Sequence, residues 1–416
     1  MKNAITRIFR AESGQLLSSL MYLCRDLDLA EDALQDACEQ ASMQWSKQTL
    51  PDNPGAWLHT VAKRKLIDKL RQSQTQANLR SLHSLGTLSE INTESVPQEF
   101  SEQDFDVPDE RLRLIFTCCH PALNQQAQVA LTLRTLCGLS VKEIARAYLT
   151  SEIAMSQRIT RAKKKIKDAG ISYSVPRKEQ LPARLSSVLK VIYLIYNESY
   201  SAFESQTLTR NDLAEEAIRL SQLMLSLLPN AEVLGLAALL LLHHARSPAR
   251  QSSDAGYIPL EMQDRKLWNS AALNQGRALL DKALRLNQPG PYQIQAAISA
   301  LHAQAIDWQS TDWKQIHLLY KSLYKINPSP VVELNCAVSL AYSGYLVESY
   351  KFLYSLEQEL QNYQPYYAAR AELEIQLMDL QAAIGSLNTA IKLSRNNSER
   401  DFLVKKRNHL LSQCPD

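Results

Sequence analysis

The sequence predicts an all-α protein, and three observations carry that prediction. Only 11 of 416 residues are glycine. Leu, Ala, Gln, Glu, Lys and Arg, all good helix formers, dominate, while β-branched runs are few. Apolar residues recur at three- and four-residue spacing along almost the whole chain, the period of a helix face. The length suits two or three domains. Composition marks three blocks, residues 1–80, 109–170 and 176–416, with an acidic stretch over 81–108.

In the first block one helix is predicted over Thr6–Leu27 and a second over Leu29–Trp45, with Asp28 as its N-cap. Pro51 and Pro54 break the pattern, and a third helix follows over Gly55–Arg80. The third helix carries Lys63, Arg64, Lys65, Lys69, Arg71 and Arg80 against Asp68 alone. The second helix and its entry carry Asp26, Asp28, Glu31, Asp32, Asp36 and Glu39. One short domain thus has an acidic face and a basic face, which suits a protein partner on one side and nucleic acid on the other. Trp45 and Trp57 either stack on bases or pack in the core.

Between Arg80 and Arg111 there is no Lys or Arg, and Glu90, Glu94, Glu99, Glu102, Asp104, Asp106, Asp109 and Glu110 are all acidic. The stretch reads as a disordered acidic tether.

The second block ends in three predicted helices, Gln125–Cys137, Val141–Leu149 and Glu152–Ala169, with Gly138 ending the first and Ser140 capping the next. Helix, short turn and basic helix form a helix-turn-helix pattern. The last helix holds Arg158, Arg161, Lys163, Lys164, Lys165 and Lys167 against Glu152 and Asp168. Phosphates dominate DNA affinity, so such a helix suits a duplex. Ser151, Ser156, Gln157 and Arg158 are placed to reach base edges, and Lys163, Lys164 and Lys165 to meet phosphates. Arg161 belongs to the same surface. The plainer alternative is a solvated charged face.

The third block contains an internal repeat. Gly276-Leu280-Ala283, Ile316-Tyr320-Leu323, Ser349-Leu353-Leu356 and Ala383-Leu387-Ala390 step by 40, 33 and 34 residues. That spacing is the second helix of a tetratricopeptide (TPR) unit, in degenerate copies. An irregular bundle is the alternative.

Other chemistry finds little support. Seven scattered cysteines without a CxxC pair argue against a disulfide scaffold or a standard zinc site and favour a reducing cytoplasm. Adjacent Cys118 and Cys119 point about 100° apart on a helix and chelate poorly, so burial is expected of them, without metal. His243 and His244 follow an apolar run and read as core or surface histidines. Arg7, Arg10 and Glu12 sit where a signal peptide needs an apolar core, and the run Val233–Leu242 is too short to span a bilayer. Neither export nor a membrane segment, an enzyme site nor a cofactor is expected.

DLAEDALQDACEQA (Asp28–Ala41) followed by NPGAWLHTVAKRKLIDKLRQ (Asn53–Gln72) resembles region 2 of extracytoplasmic-function (ECF) sigma factors of bacterial RNA polymerase. ALTLRTLCGLSVKEIARAYLTSEIAMSQRITRAKKKIKDAG (Ala130–Gly170) resembles their region 4. FTCCHPALN (Phe116–Asn124), YLIYNESYSA (Tyr193–Ala202) and the loop Ala245–Trp268, ending in QDRKLW, resemble the ECF group with a C-terminal TPR-like extension. The resemblance covers nearly the whole chain.

It implies binding to core RNA polymerase, through its β′ and β subunits, and to promoter DNA. Asp28, Asp32, Gln35, Asp36 and Glu39 would meet the β′ coiled coil. The loop Ser46–Pro54 would capture a flipped base of the −10 element. Lys63, Arg64, Lys65, Lys69 and Arg71 would hold the separated strand. The basic helix, from Ser151 on, would read the −35 element. Many ECF proteins have Arg-Asn where this chain has Lys63-Arg64, and Arg cannot accept hydrogen bonds as Asn can, so the −10 preference of other members does not transfer. A sigma linker lies in the path of emerging RNA, so the acidic stretch either imitates RNA phosphates or is a solubilising tether. Arg250, Asp254, Gly256, Asp264 and Arg265 mark the third block's loop as regulatory, contacting region 4 or a partner, or else bracing itself through an Arg–Asp network. The TPR-like block would control activity through an intramolecular or protein-partner contact. The rivals are an operator-binding regulator acting without polymerase and a TPR scaffold with a vestigial DNA domain.

Overall fold

Apolar periodicity folds the first eighty residues into three helices, α1 (Lys2–Cys24), α2 (Leu27–Trp45) and α3 (Pro54–Ser84). The computed structural model describes residues 2–45, 50–84, 107–148, 150–201, 211–250, 257–394 and 397–413. Ala30, Ala33, Ala37 and Ala41 form a fully buried small-residue stripe on α2. Trp45 is only 3% exposed and packs with Leu16 and Leu58. Its ring lies 5.8 Å from Phe9 and 5.3 Å from Trp57, so it is a core residue.

Three local expectations are corrected here. Arg25 has a positive φ of 51°, which ends α1 before Leu27. Asp26, not Asp28, then caps α2: its Oδ1 accepts from the backbone N–H groups of Asp28 and Leu29 at 3.0 and 3.3 Å. Asp28 thereby sits inside the first turn with its carboxylate not used in the cap. The third helix also runs past Arg80 to Ser84. The expected tether falls mainly on residues 85–106, outside the described residues.

A second bundle follows, α4 (Val107–Cys118), α5 (Gln125–Thr135), α6 (Val141–Ala147) and α7 (Glu152–Asp168). Glu110, counted with the acidic stretch, is buried on α4. Gly138 takes a φ of 63° after α5, and the Leu139 N–H donates back to the Leu133 carbonyl at 3.1 Å. Ser140 and Glu143 form a capping box at α6: Ser140 Oγ accepts from Glu143 N at 3.2 Å while Glu143 Oε2 accepts from Ser140 N at 2.8 Å. Ser151 Oγ caps α7, accepting from Ala154 N at 3.1 Å. Cys118 and Cys119 are buried, their Sγ atoms 3.2 and 3.6 Å from the hydroxyls of Thr135 and Thr132. Burial pushes both thiols up, Cys119 to about 12.

The chain divides into two units, residues 1–194 and 195–416, with α8 (Leu181–Ser201) running across the division. Within the first unit the two bundles pack on each other. A Cβ added to Gly14 of α1 would lie 2.9 Å from the Leu136 carbonyl oxygen. Tyr173 Oη sits 3.0 Å from the carbonyls of both Ser18 and Glu110, one from each bundle. Arg111 donates to Gln15.

The second unit begins with α9 (Asn211–Leu227) and continues as antiparallel pairs: α10 (Ala231–His244) with α11 (Ser270–Arg285), α12 (Pro291–Gln304) with α13 (Trp313–Ile326), α14 (Pro330–Tyr342) with α15 (Leu346–Ser355). After the short α16 (Glu357–Leu360), α17 (Gln364–Gln376) pairs with α18 (Leu380–Leu393), and α19 (Asn397–Leu411) packs on α18. This is a TPR-like helical repeat. The anchors lie where the spacing predicts, on the second helix of each pair, with Leu356 at the C-cap of α15. Gly276, Leu280, Ala283, Ile316, Leu323, Ser349, Leu353, Leu356, Ala383, Leu387 and Ala390 are buried, and Tyr320 packs beside Ile316 and Leu323. Gly276 is small for a reason: a Cβ there would meet Leu242 at 2.9 Å. Half-buried His243 bonds to Ser299 Oγ at 3.0 Å, and loss of solvent around its ring lowers its pKa to about 3.

Candidate functional site

The basic helix α7 buries Met155, Ile159 and Ala162 against its own bundle. At 100° per residue, that stripe turns Gln157, Arg161 and Lys164 to the opposite side, where all three are exposed. Ser156 and Lys165 are exposed on the flanks, and Arg158 is half-buried. Ser151 is exposed but occupied by its capping bond, so its hydroxyl serves the helix before any base. Arg161 donates to Gln157 Oε1 at 3.4 Å, which orients the pair along the outer strip.

Lys163 is the exception. It faces the first bundle, with Nζ 2.8 Å from Asp28 Oδ1 and 3.2 Å from Glu31 Oε2. One turn on, Lys167 Nζ lies 3.2 Å from Asp26 Oδ2. From α5, Arg134 Nε lies 3.6 Å from the same Glu31 oxygen. Three acids of α2 and its cap thus face three cations of the second bundle. Burial would lower the Lys163 ammonium, yet Glu31 and Asp28 hold it above the ordinary lysine range. Burial likewise works against the Asp26 carboxylate, but the Leu29 N–H and Lys167 keep it below the ordinary aspartate value. The Lys163 and Glu31 side chains are 14% and 15% exposed, whereas Asp28 is 66% exposed.

Of the five acidic-face candidates, Asp28 is therefore engaged by Lys163. Asp36 is engaged by Lys69 of α3, at 3.1 Å. Asp32, Gln35 and Glu39 are exposed, with Gln35 Nε2 donating to Glu39 Oε1 at 3.1 Å. On α3, Arg64 and Arg71 are exposed, while Lys63, Lys65 and Lys69 are half-buried. Residues 46–49 of the expected base-capture loop lie outside the described residues. Asn53 caps α3, its Oδ1 accepting from Ala56 N at 3.0 Å.

The loop of the second unit is engaged with that unit's own backbone. Arg265 Nη1 donates to the carbonyls of His302 and Ala305, the latter at 2.6 Å, and so closes the end of α12. Its guanidinium also lies over the Trp268 ring, 5.4 Å from the centroid. Asp264 caps the following turn, accepting from Lys266 N at 2.9 Å. Arg250 is buried, and Asp254 and Gly256 lie outside the described residues. At Arg265 the brace runs from the guanidinium to backbone carbonyls.

Asp26, Glu31, Arg134 and Lys167 join the site only through the fold. The sequence marks three of them as members of an acidic or a basic helix, but nothing in it matches one helix to the other. Among the described residues no helix is long and apolar enough to cross a membrane.

Comparison with known proteins finds matches to three separate segments of the chain. Residues 8–76 match the family described as Sigma-70 region 2, and residues 113–166 match Sigma-70, region 4. Residues 184–284 match a family of unknown function, DUF6596. A protein of Rhizobium meliloti (strain 1021), described as "Uncharacterized protein R00370", is 40% identical over 400 residues, covering 96% of this chain and 94% of its own. The crystal structure of the yeast Tom70 aligns over 98% of this chain and 87% of that one, at 12% identity and a TM-score of 0.38, a likeness that carries no argument about this chain.

Proposed function

This chain belongs to the sigma factors that join regions 2 and 4 to a C-terminal helical extension, and from that premise we propose how its surfaces divide the work of promoter recognition. The exposed edge of α2, with Asp28, Asp32, Gln35 and Glu39, docks on the β′ subunit of core RNA polymerase. The basic face of α3, led by Arg64 and Arg71 with Lys63, Lys65 and Lys69, holds the separated −10 strand. The outer strip of α7 meets the −35 element, with Gln157 and Arg158 toward bases and Arg161, Lys164 and Lys165 toward phosphates.

The observation that carries this reading is the exposed strip Gln157–Arg161–Lys164 on a capped helix that follows a short turn and a capping box. A helix so held presents a fixed row of donors to a groove. The rival reading, an operator binder acting alone, has no use for the exposed carboxylates of α2. In vitro transcription with core polymerase on the gene's own upstream DNA separates the two. Specific transcripts are expected only with the protein present, and Asp32→Lys with Glu39→Lys should abolish them. Tight sequence-specific binding without polymerase, insensitive to those two changes, supports the rival.

The repeat unit controls this activity in cis or through a protein partner. Support comes from the loop fixed to α12 through Arg265, which gives the unit a built surface feature beyond its repeats. A chain ended after Ser201 should then differ from the full chain in transcript yield or promoter choice. Identical output from the two removes this role.

A further inference from the structure

Two antiparallel helices need only a short turn between them, yet residues 245–269 separate α10 from α11. From Tyr257 on, this loop is fixed rather than loose. Ile258 N donates to the Arg250 carbonyl at 3.0 Å, Gln263 Nε2 to the Ile258 carbonyl at 3.0 Å, and Arg246 Nε to Gln263 Oε1 at 3.3 Å. Tyr257 reaches as far as α19, where its ring lies 5.9 Å from that of Phe402. Between these ties, Leu260 and Glu261 form one wall of a cavity of about 210 Å³ within the second unit. The other walls come from Trp308 in the turn between α12 and α13, Val338 and Tyr342 of α14, and Glu372 of α17. We propose that this cavity binds a small organic cation, an amine or quaternary ammonium on an apolar body, with the positive group taken by Glu261 and Glu372 and the body laid against Trp308 and Tyr342.

Charge decides the class of ligand. The ionised groups of the wall are both carboxylates, and Lys406 of α19, the cation beside them, is already paired with Glu372. Among the described residues no cation lies within ion-pair distance of Glu261. Burial and the neighbouring Glu372 push the Glu261 carboxyl above the ordinary glutamate value, which Lys406 only partly offsets. An anion would meet two carboxylates there, and a neutral ligand would take water from Glu261 and return no charge. The walls decide the rest. The Trp308 and Tyr342 rings stand edge to face with centroids 5.2 Å apart, and Tyr342 stacks on Trp313 at 4.6 Å, so the aromatic surface is in place before a ligand arrives. Aromatic rings attract cations, tryptophan most of all, and an apolar pocket with a few placed polar groups is the usual form of a small-molecule site. The tied loop bounds the cavity on one side, which suits a small molecule better than an extended chain. A ligand held by Glu261 and Glu372 joins the loop to α17, which gives the repeat unit an input of defined chemistry. The site itself stands apart from the sigma-factor reading.

The test uses the full chain and calorimetric titration with 2-phenylethylammonium, its trimethylammonium analogue, and the matched neutral and anionic probes 2-phenylethanol and phenylacetate. Both cations should bind saturably, one per chain, with the alcohol about tenfold weaker and phenylacetate not bound. Glu261→Gln changes an exposed residue without an ion-pair partner and should weaken the cations about tenfold. Leu260→Trp, which fills the cavity without altering charge, should weaken them as much. Glu348→Gln on α15 makes the same change of charge outside the cavity and should leave affinity as it is. No saturable binding of either cation up to about 10 mM overturns the proposal, as does equal affinity for ammonium and alcohol. Unchanged affinity in both Glu261→Gln and Leu260→Trp places the ligand elsewhere and overturns it too. If a lysine-containing pentapeptide binds while the free amines do not, the cavity belongs to a protein partner and the small-molecule assignment fails. None of these readouts involves transcription, so a failure of the sigma-factor reading and a failure of this site remain distinct results.

Discussion

Helices α2 and α7 of the first unit and helices α11, α13, α15 and α18 of the second are equally regular, yet they are specified in different ways. The repeat helices are fixed by shape. Gly276 meets Leu242, Ser349 Oγ donates to the Ala337 carbonyl at 2.6 Å, and Leu353 is fully buried, each contact lying within one or two neighbouring helices. Where α2 meets α7 the contact is one of charge, joining residues 135 apart in the chain. Shape is satisfied once and for good. Charge at a half-exposed edge is screened by salt, and it is the charged helices that carry the proposed function.

The comparison can be broken most forcefully in the repeat. Leu353→Ala removes a fully buried side chain from the cluster with Leu334, Leu356 and Tyr366, and should destabilise the second unit by about 2–5 kcal/mol in denaturant unfolding. A loss below about 1 kcal/mol would mean that the repeat is less shape-determined than its packing implies. Next comes Arg265→Ala, which strips the carbonyls of His302 and Ala305 of a charged donor. A loss of about 1.5–3 kcal/mol is expected from the same unit, with Arg265→Lys recovering only part because one ammonium lacks the planar fork.

Smaller effects sharpen the charged side. Ser140→Ala removes half of the capping box that opens α6 and should cost about 1 kcal/mol, with DNA affinity falling only as far as stability does. Arg161→Ala and Lys164→Ala should each lower the salt slope of promoter binding by about 1 while leaving thermal stability unchanged; an unaltered slope removes these residues from the phosphate contacts.

The smallest expected effect is that of pH on the charged contact between α2 and α7. Asp26, with its carboxyl held below 3.8, contributes stability above that value and loses it only as pH falls through its lower folded pKa. Lys163, held above 10.5, contributes below that value and loses it only as pH rises through its higher folded pKa. Asp28, Glu31, Arg134 and Lys167 face the same set. Protection of Lys163 from an amine-reactive reagent, relative to Lys164, should therefore stay constant from about pH 5 to about pH 9, while added salt weakens it. A step near neutral pH would point to a titrating group other than Asp26 and Lys163.

Much of this molecule is legible from sequence because helices are local objects. The three- and four-residue periods, the Gly138 stop and the Ser140 cap act over less than two turns, so their residues are legible, whereas Glu143 as the other half of that cap and Ser151 as the cap of α7 emerge only in the structure. The anchors of the repeat were legible for a related reason: each pair of helices packs on its neighbours in sequence, and small residues mark the close approaches. The sign of charge on α2, α3 and α7 was legible too, and with it the resemblance to sigma regions 2 and 4.

What only the tertiary structure decided lies at longer range or turns on a single backbone angle. The positive φ of Arg25 moves the cap of α2 to Asp26 and leaves the Asp28 carboxylate out of it. The start of α4 at Val107 carries Glu110 out of the acidic stretch and into the core. Arg265 finds the carbonyls of His302 and Ala305, some 40 residues away. Above all, Lys163 points at α2 while Lys164, its neighbour in sequence, points outward. Adjacent residues on a helix differ by about 100°, and which of two lysines meets an acid depends on how two separately folded bundles dock. Sequence periodicity sets the directions of side chains around one axis, but the angle between two axes is set by the packing of Gly14 on Leu136 and of Tyr173 between them.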